Sequence, residues 1–283
     1  MIGNPATRFS IGMLSQVAGF FLYIICCLPL QAGNENYLAG ARSSALSSAS
    51  VTLCDAWSTF YNQAGLAFLE APVAGFHFEN KFLVKEYAMQ AGTLAIPFKP
   101  GAIGVSYRFF GYSKYYEAKF GLAYARKFAN HFAVGVQVDY FQTHIAEGFG
   151  NYNAVTAEIA ILAEPFENVK VGAHLFNPTK VKDNAPAEEK IPVIMRIGIG
   201  YSFEEKASLF FETEKNIIQE PVYKGGLEIK TIGDLYFRGG FSSGYEQYSF
   251  GLGYTYKKFF ADLAFTKHFY LGFTPHVSVS FQF

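Results

Sequence analysis

Charge is scarce in this chain and evenly divided: 23 Lys and Arg stand against 23 Asp and Glu, 16% of 283 residues, for a formal net charge of +0. That balance removes the basic face on which a nucleic-acid binder or an anionic-surface protein depends. Cysteine is nearly absent. Of the 3 cysteines, Cys26 and Cys27 sit in an apolar N-terminal run, so Cys54 alone is left for the rest of the chain. One thiol excludes an intramolecular disulfide and a cysteine metal cluster. Long hydrophobic runs are missing too, apart from "VAGFFLYIICCLPL" near the start. Tryptophan occurs once, as Trp57.

What the chain has instead is phenylalanine and tyrosine, 31 and 19 of them, with 27 glycines. This composition suits aromatic-rich strands better than charged amphipathic helices. The apolar run follows Arg8, the first charge after the amino terminus, and gives way to Leu30, Gln31 and Ala32. It reads as a signal peptide over 1–32, cleaved before Gly33, rather than as a membrane anchor, because Pro29 interrupts its end.

From Val73 onward the hydrophobic period is two. In "YSFGLGYTY", Tyr248, Phe250, Leu252, Tyr254 and Tyr256 share one face, with Ser249, Gly251, Gly253 and Thr255 opposite. The terminal "HVSVSFQF" places Val277, Val279, Phe281 and Phe283 against His276, Ser278, Ser280 and Gln282. About fourteen such segments follow one another, each long enough to cross a bilayer when tilted. Tight connections ("KPG" 99–101, "AN" 129–130, "EEK" 204–206, "GD" 233–234) alternate with longer ones (146–152, 178–190, 269–273). That order fits an up-and-down transmembrane barrel over 71–283, in the outer membrane, with both termini periplasmic. A soluble sandwich or lipocalin-type barrel shares the period. It does not explain an apolar face crowded with Phe and Tyr, many near strand ends as an aromatic girdle needs, or a last strand ending on Phe283.

If the aromatic face meets lipid, the opposite face lines the lumen. It carries Glu79, Lys81, Arg108, Glu117, Lys119, Asp139, Glu158, Arg196, Glu212, Lys224, Glu228, Arg238 and Asp262. Acid and base nearly balance, so these groups either line an open pore or pair with one another and with an internal plug. The 6 histidines fall singly on different strands without metal-ligand spacing. Neither a cofactor, a metal nor an enzymatic constellation is expected. A luminal hydrolase built on His174, His268 or His276 is the remote alternative.

Residues 33–70 do not alternate. They contain Gly40, Ala41 and Arg42, then Ala49, Val51 and Asp55, then Asn62, Ala64, Gly65 and Leu66. This arrangement resembles the N-terminal signature of the FadL-like outer-membrane barrel superfamily, particularly its PorV/PorQ-type branch, with Gln63 where the family usually has proline. Asn177, Pro192, Arg196, Gly198 and Tyr201 resemble the family's loop and following strand. The resemblance implies a fourteen-stranded barrel with residues 33–70 folded into it as a hatch. Burial of Trp57, Phe60, Tyr61, Leu66 and Phe68 suits a hatch, and Arg42 and Asp55 would meet luminal charges.

Two functions compete. A PorV/PorQ-like protein is an accessory subunit of a secretion or other outer-membrane complex, docking another protein. A FadL-like protein passes hydrophobic molecules such as long-chain fatty acids, here along Leu66, Phe68, Phe110, Phe141 and Phe176. Short expected loops and the charged run Lys180, Lys182, Asp183, Glu188, Glu189 and Lys190 tilt the sequence toward the accessory role. Lipid is the expected surroundings, and nucleic acid is not an expected partner.

Overall fold

The computed structural model describes residues 36–129, 131–147, 150–181, 191–204, 206–244 and 247–283. The signal-peptide expectation and all of the charged run 180–190 beyond Val181 lie outside them. Fourteen antiparallel strands close into one barrel in which each strand pairs with its sequence neighbours and the first pairs with the last. They are β1 Val73–Asn80, β2 Ala88–Phe98, β3 Gly101–Tyr112, β4 Tyr115–Ala129, β5 Phe132–Ile145, β6 Gly150–Phe166 and β7 Val169–Phe176. The second half comprises β8 Ile194–Phe203, β9 Ala207–Asn216, β10 Val222–Lys230, β11 Leu235–Ser242, β12 Gln247–Tyr256, β13 Phe259–His268 and β14 Gly272–Gln282. Closure removes the two free edges that an open sheet would present to an apolar medium.

The period of two becomes a period of burial. Along β3 buried and exposed residues alternate, with Ile103, Val105 and Tyr107 outward and Gly104, Ser106 and Arg108 inward. Aliphatic side chains such as Leu122, Val136, Ile159, Ile197 and Leu252 are exposed along strand middles. Exposed aromatics stand at both ends, Phe128, Phe132, Phe166 and Phe259 at one and Tyr112, Tyr248 and Tyr270 at the other, and also within strands, as at Phe120, Phe211 and Phe250. The outer surface is apolar from end to end with aromatics at both margins, the kind of surface a bilayer core covers. No helix among the described residues is long and apolar enough to cross a membrane.

One end of the barrel carries the tight turns at 99–100, 167–168 and 257–258 together with Pro72 and Phe283; the other carries the connections 81–87, 177–193 and 217–221. Lys81, expected within the first strand, lies just past it in a short 3-10 turn, Lys81–Leu83. Asn177 pins the base of the longest connection, accepting from Val181 N (2.9 Å) and donating to the carbonyls of Ile191 (2.9 Å) and Val181 (3.2 Å).

Candidate functional site: the barrel interior

Residues 36–69 make a compact piece of short helices: α1 Ala41–Ala45, α2 Ser58–Tyr61 and a 3-10 stretch Gln63–Phe68. Its sequence explains the irregularity. Left-handed backbone at Ser47 (φ 51°) and Ser48 (φ 62°) stops the first helix after one turn, and Gly40 sits at φ 104°, where an added Cβ would also lie 2.7 Å from the Trp57 ring. Asn62 stops α2 and starts the 3-10 stretch by accepting from Ala64 N at 3.1 Å.

The segment packs against inward-facing residues from strands around the barrel. Leu46, Val51, Leu53, Trp57, Phe60, Tyr61 and Leu66 are all buried. Trp57 lies against Phe60 (ring centroids 6.1 Å) and edge-on to His77 of β1 (5.8 Å). Gly65 is buried between Ser58 and the Leu53 carbonyl. Phe68 is only half-buried, at the tight-turn end, with the Lys127 ammonium 4.2 Å from its ring centre. Glycines on the wall make room: a Cβ on Gly135 of β5 would run into the Ala64 backbone, and one on Gly104 would lie 2.7 Å from Thr59 Cγ2.

Polar bonds tie the segment to the wall. The Arg42 guanidinium grips Glu228 of β10 with both arms (2.7 and 2.9 Å) and reaches Asp55 at 3.3 Å. Burial works against the Arg42 charge, but the Glu228 and Asp55 carboxylates outweigh it and raise its pKa well above the usual arginine value. Tyr61 donates its phenol to Asp55; burial, reinforced by that carboxylate, raises the phenol's pKa well above the ordinary value. Glu212 of β9 accepts from two successive backbone amides, Ser50 and Val51, at 2.8 Å each. Asn62 spends both amide hydrogens, on Val51 O (2.5 Å) and Ile161 O of β6 (3.1 Å). Gln63, where the resembled family usually carries proline, donates to the Glu158 carboxylate at 2.5 Å.

Behind these bonds the wall charges pair among themselves. Lys119 meets Glu158 (2.5 Å) and Asp139 (3.3 Å); His174 meets the other Glu158 oxygen at 2.7 Å. Arg196 meets Glu214 (2.7 Å), Lys224 bridges Glu214 and Glu212, and Arg238 joins Glu228 (2.5 Å) to Asp262 (2.6 Å). Arg108 lies 4.0 Å from Glu117 and donates to the Tyr37 carbonyl. The pairs account for why so many charges can sit in a buried interior: each lies beside a group of opposite sign or shares one, as Asp139 and Glu158 share Lys119.

Toward the long-connection end the lining changes character. Phe141, Ala154, Phe176, Ile191 and Ile194 form one buried apolar cluster, with Val181 packed on it. Met89 and Phe110 belong to a second, against which Tyr37 and Tyr115 pack; the Lys81 ammonium stands 3.3 Å over the Tyr37 ring. Glu214, a partner in this network, was not among the residues the sequence singled out; its place in the alternation of β9 marked it as inward. A second omission is a group of three on the barrel seam. His77, Glu79 and His276 are buried together although 199 positions separate the two histidines (276 − 77). Only the pairing of β1 with β14 brings them into contact.

No family model and no curated protein matches the chain. Solved structures do. The toluene transporter TbuX of Ralstonia pickettii superimposes with a TM-score of 0.71 at 11% identity, covering 86% of this chain and 98% of its own. The P. putida toluene transporter TodX gives 0.69 at 11% identity, over 89% and 99%. A FadL homologue of Pseudomonas aeruginosa gives 0.67 at 10%, over 89% and 100%. The fold is FadL-like. At such identity the likeness is one of architecture, and the PorV/PorQ-type assignment rests on the sequence motif alone.

Proposed function

We propose that this protein is a passive outer-membrane channel for small hydrophobic molecules, closed by residues 36–69 acting as a hatch. The observation that carries the reading is the apolar cluster of Phe141, Phe176, Ile191 and Ile194 at the long-connection end of the interior, beside the paired charges of the wall. Apolar and aromatic side chains of this kind line the sites that take apolar molecules. The hatch residues from Gln63 to Phe68 lie between that lining and the tight-turn end, so a molecule leaves the cluster only when the hatch shifts or the wall parts. The tight turns and Phe283 face the periplasm, and the long connections face outward.

The likeness to hydrocarbon transporters supports this reading over an accessory role in protein secretion. Uptake of labelled toluene and of a labelled long-chain fatty acid by vesicles containing the folded protein tests it. Faster uptake than by protein-free vesicles, reduced about tenfold by Phe176→Asp, supports the channel. A large protein partner retained in stoichiometric amount through gentle-detergent purification, with no uptake, would replace it by the accessory reading.

A further inference from the structure

We propose that His77, Glu79 and His276 form a binding site for one divalent transition-metal ion, of which zinc is the type, across the seam that closes the barrel. His77 and Glu79 are alternate residues on β1 and therefore point to the same, inner side. His276 stands directly opposite Glu79 on β14. The potential ligand atoms of all three lie within 4.8 Å of one another.

The spacing fits an ion. His276 Nδ1 is 3.0 Å and His77 Nε2 is 3.5 Å from Glu79 Oε2. Zinc holds imidazole nitrogen and carboxylate oxygen at about 2.0–2.2 Å, which puts two ligands about 3.4 Å apart at a tetrahedral angle. The hydrogen-bond inventory points the same way. His77 Nε2 and His276 Nδ1, the atoms turned toward Glu79, are buried and satisfied by no hydrogen bond of proper geometry. A buried imidazole left in that condition costs stability that ligation recovers. The orientation of His276 is already fixed: Thr266 Oγ1 lies 3.1 Å from its Nε2, the outer-shell contact that directs the other ring nitrogen into a metal site. Trp57 of the hatch lies edge-on to His77, and the two imidazoles stack at 5.9 Å.

Two imidazoles and one carboxylate suit Zn²⁺, Cu²⁺, Ni²⁺ or Co²⁺ better than Mg²⁺ or Ca²⁺, which take oxygen ligands. Three protein ligands leave a fourth position for water or for a donor from the passing solute. An ion here joins the first strand to the last, one residue from the β1–β2 connection, and touches the hatch through His77. This goes beyond the channel reading and does not depend on it.

The experiment is a calorimetric titration of chelator-treated, detergent-folded full-length protein with Zn²⁺, beside His77→Gln, Glu79→Gln, His276→Gln and the surface control His144→Gln. The expected result is one equivalent bound by the wild type and by H144Q, with affinity at least tenfold lower in each of the other three. Cu²⁺ titration read through Trp57, the chain's single tryptophan, provides a measurement on the unmutated protein: quenching saturating at one equivalent and reversed by chelator. Absence of stoichiometric binding by the wild type, or binding by H77Q and H276Q equal to the wild type's, overturns the site.

Discussion

The Arg42 guanidinium clasps the Glu228 carboxylate with two bonds of 2.7 and 2.9 Å, joining the irregular N-terminal segment to the tenth strand of the wall. Hydrogen bonds between charged groups contribute about 1.5–3 kcal/mol, and removing one partner strands the other. Arg42→Ala leaves Glu228 with Arg238 alone and leaves Asp55 without its cation. The expected outcome is a loss of about 2 kcal/mol in the docking of residues 36–69 on the wall. Native-state proteolysis within residues 36–69 should become faster, while the heat-modified gel shift that reports the barrel is little changed.

Trp57 is 3% exposed and packed between Phe60 and His77. Its emission is expected to be blue-shifted and poorly quenched by aqueous iodide. Ready quenching in the folded protein would contradict the hatch.

Glycine on the inner wall is a docking requirement at Gly135, where a Cβ would meet the Ala64 backbone. Gly135→Ala therefore overpacks the interface, at a cost of about 1–3 kcal/mol. Gly239→Ala, whose Cβ would have the Ser249 carbonyl 3.9 Å away as its neighbour, is the tolerated comparison. Equal thermal midpoints for the two variants would refute the close approach.

Tyr61 titrates in a direction that makes docking sensitive to alkaline pH. Its folded-state pKa is raised by burial and by Asp55, whereas a free tyrosine ionises near about 10. The stabilisation is full below that value and is lost as pH rises above it, because the released segment ionises first. Iodide access to Trp57 is expected to increase above about pH 10, and Tyr61→Phe to remove that part of the increase.

The barrel was legible because a two-sided wall writes its period into every strand. The residues Tyr248 to Tyr256 show it without help from any other part of the chain, and the alternation of tight and long connections orders the strands. Arg42, Asp55 and Asn62 were legible as a group only through resemblance to a known signature. Their wall partners Glu228 and Ile161 were not, since nothing local says which wall residue a segment will meet. The seam site shows the same limit more sharply: Glu79 was marked as an inward charge, but His77 and His276 became neighbours only through closure and register. Gln63 read as a loosened turn; the structure adds that its side chain reaches Glu158, a contact proline could not make.

The most direct test of the channel account locks the hatch. Ser47 and Ser249 place their hydroxyl oxygens 3.0 Å apart across the contact between residues 36–69 and the wall, so the Ser47→Cys/Ser249→Cys double variant can be joined by a disulfide on oxidation. Toluene uptake by vesicles carrying this variant is the measurement. Loss of uptake on oxidation, with recovery on adding dithiothreitol, is the expected result. Uptake that continues unchanged with the disulfide formed would contradict a moving hatch, and uptake no faster than in protein-free vesicles before oxidation would contradict the channel itself.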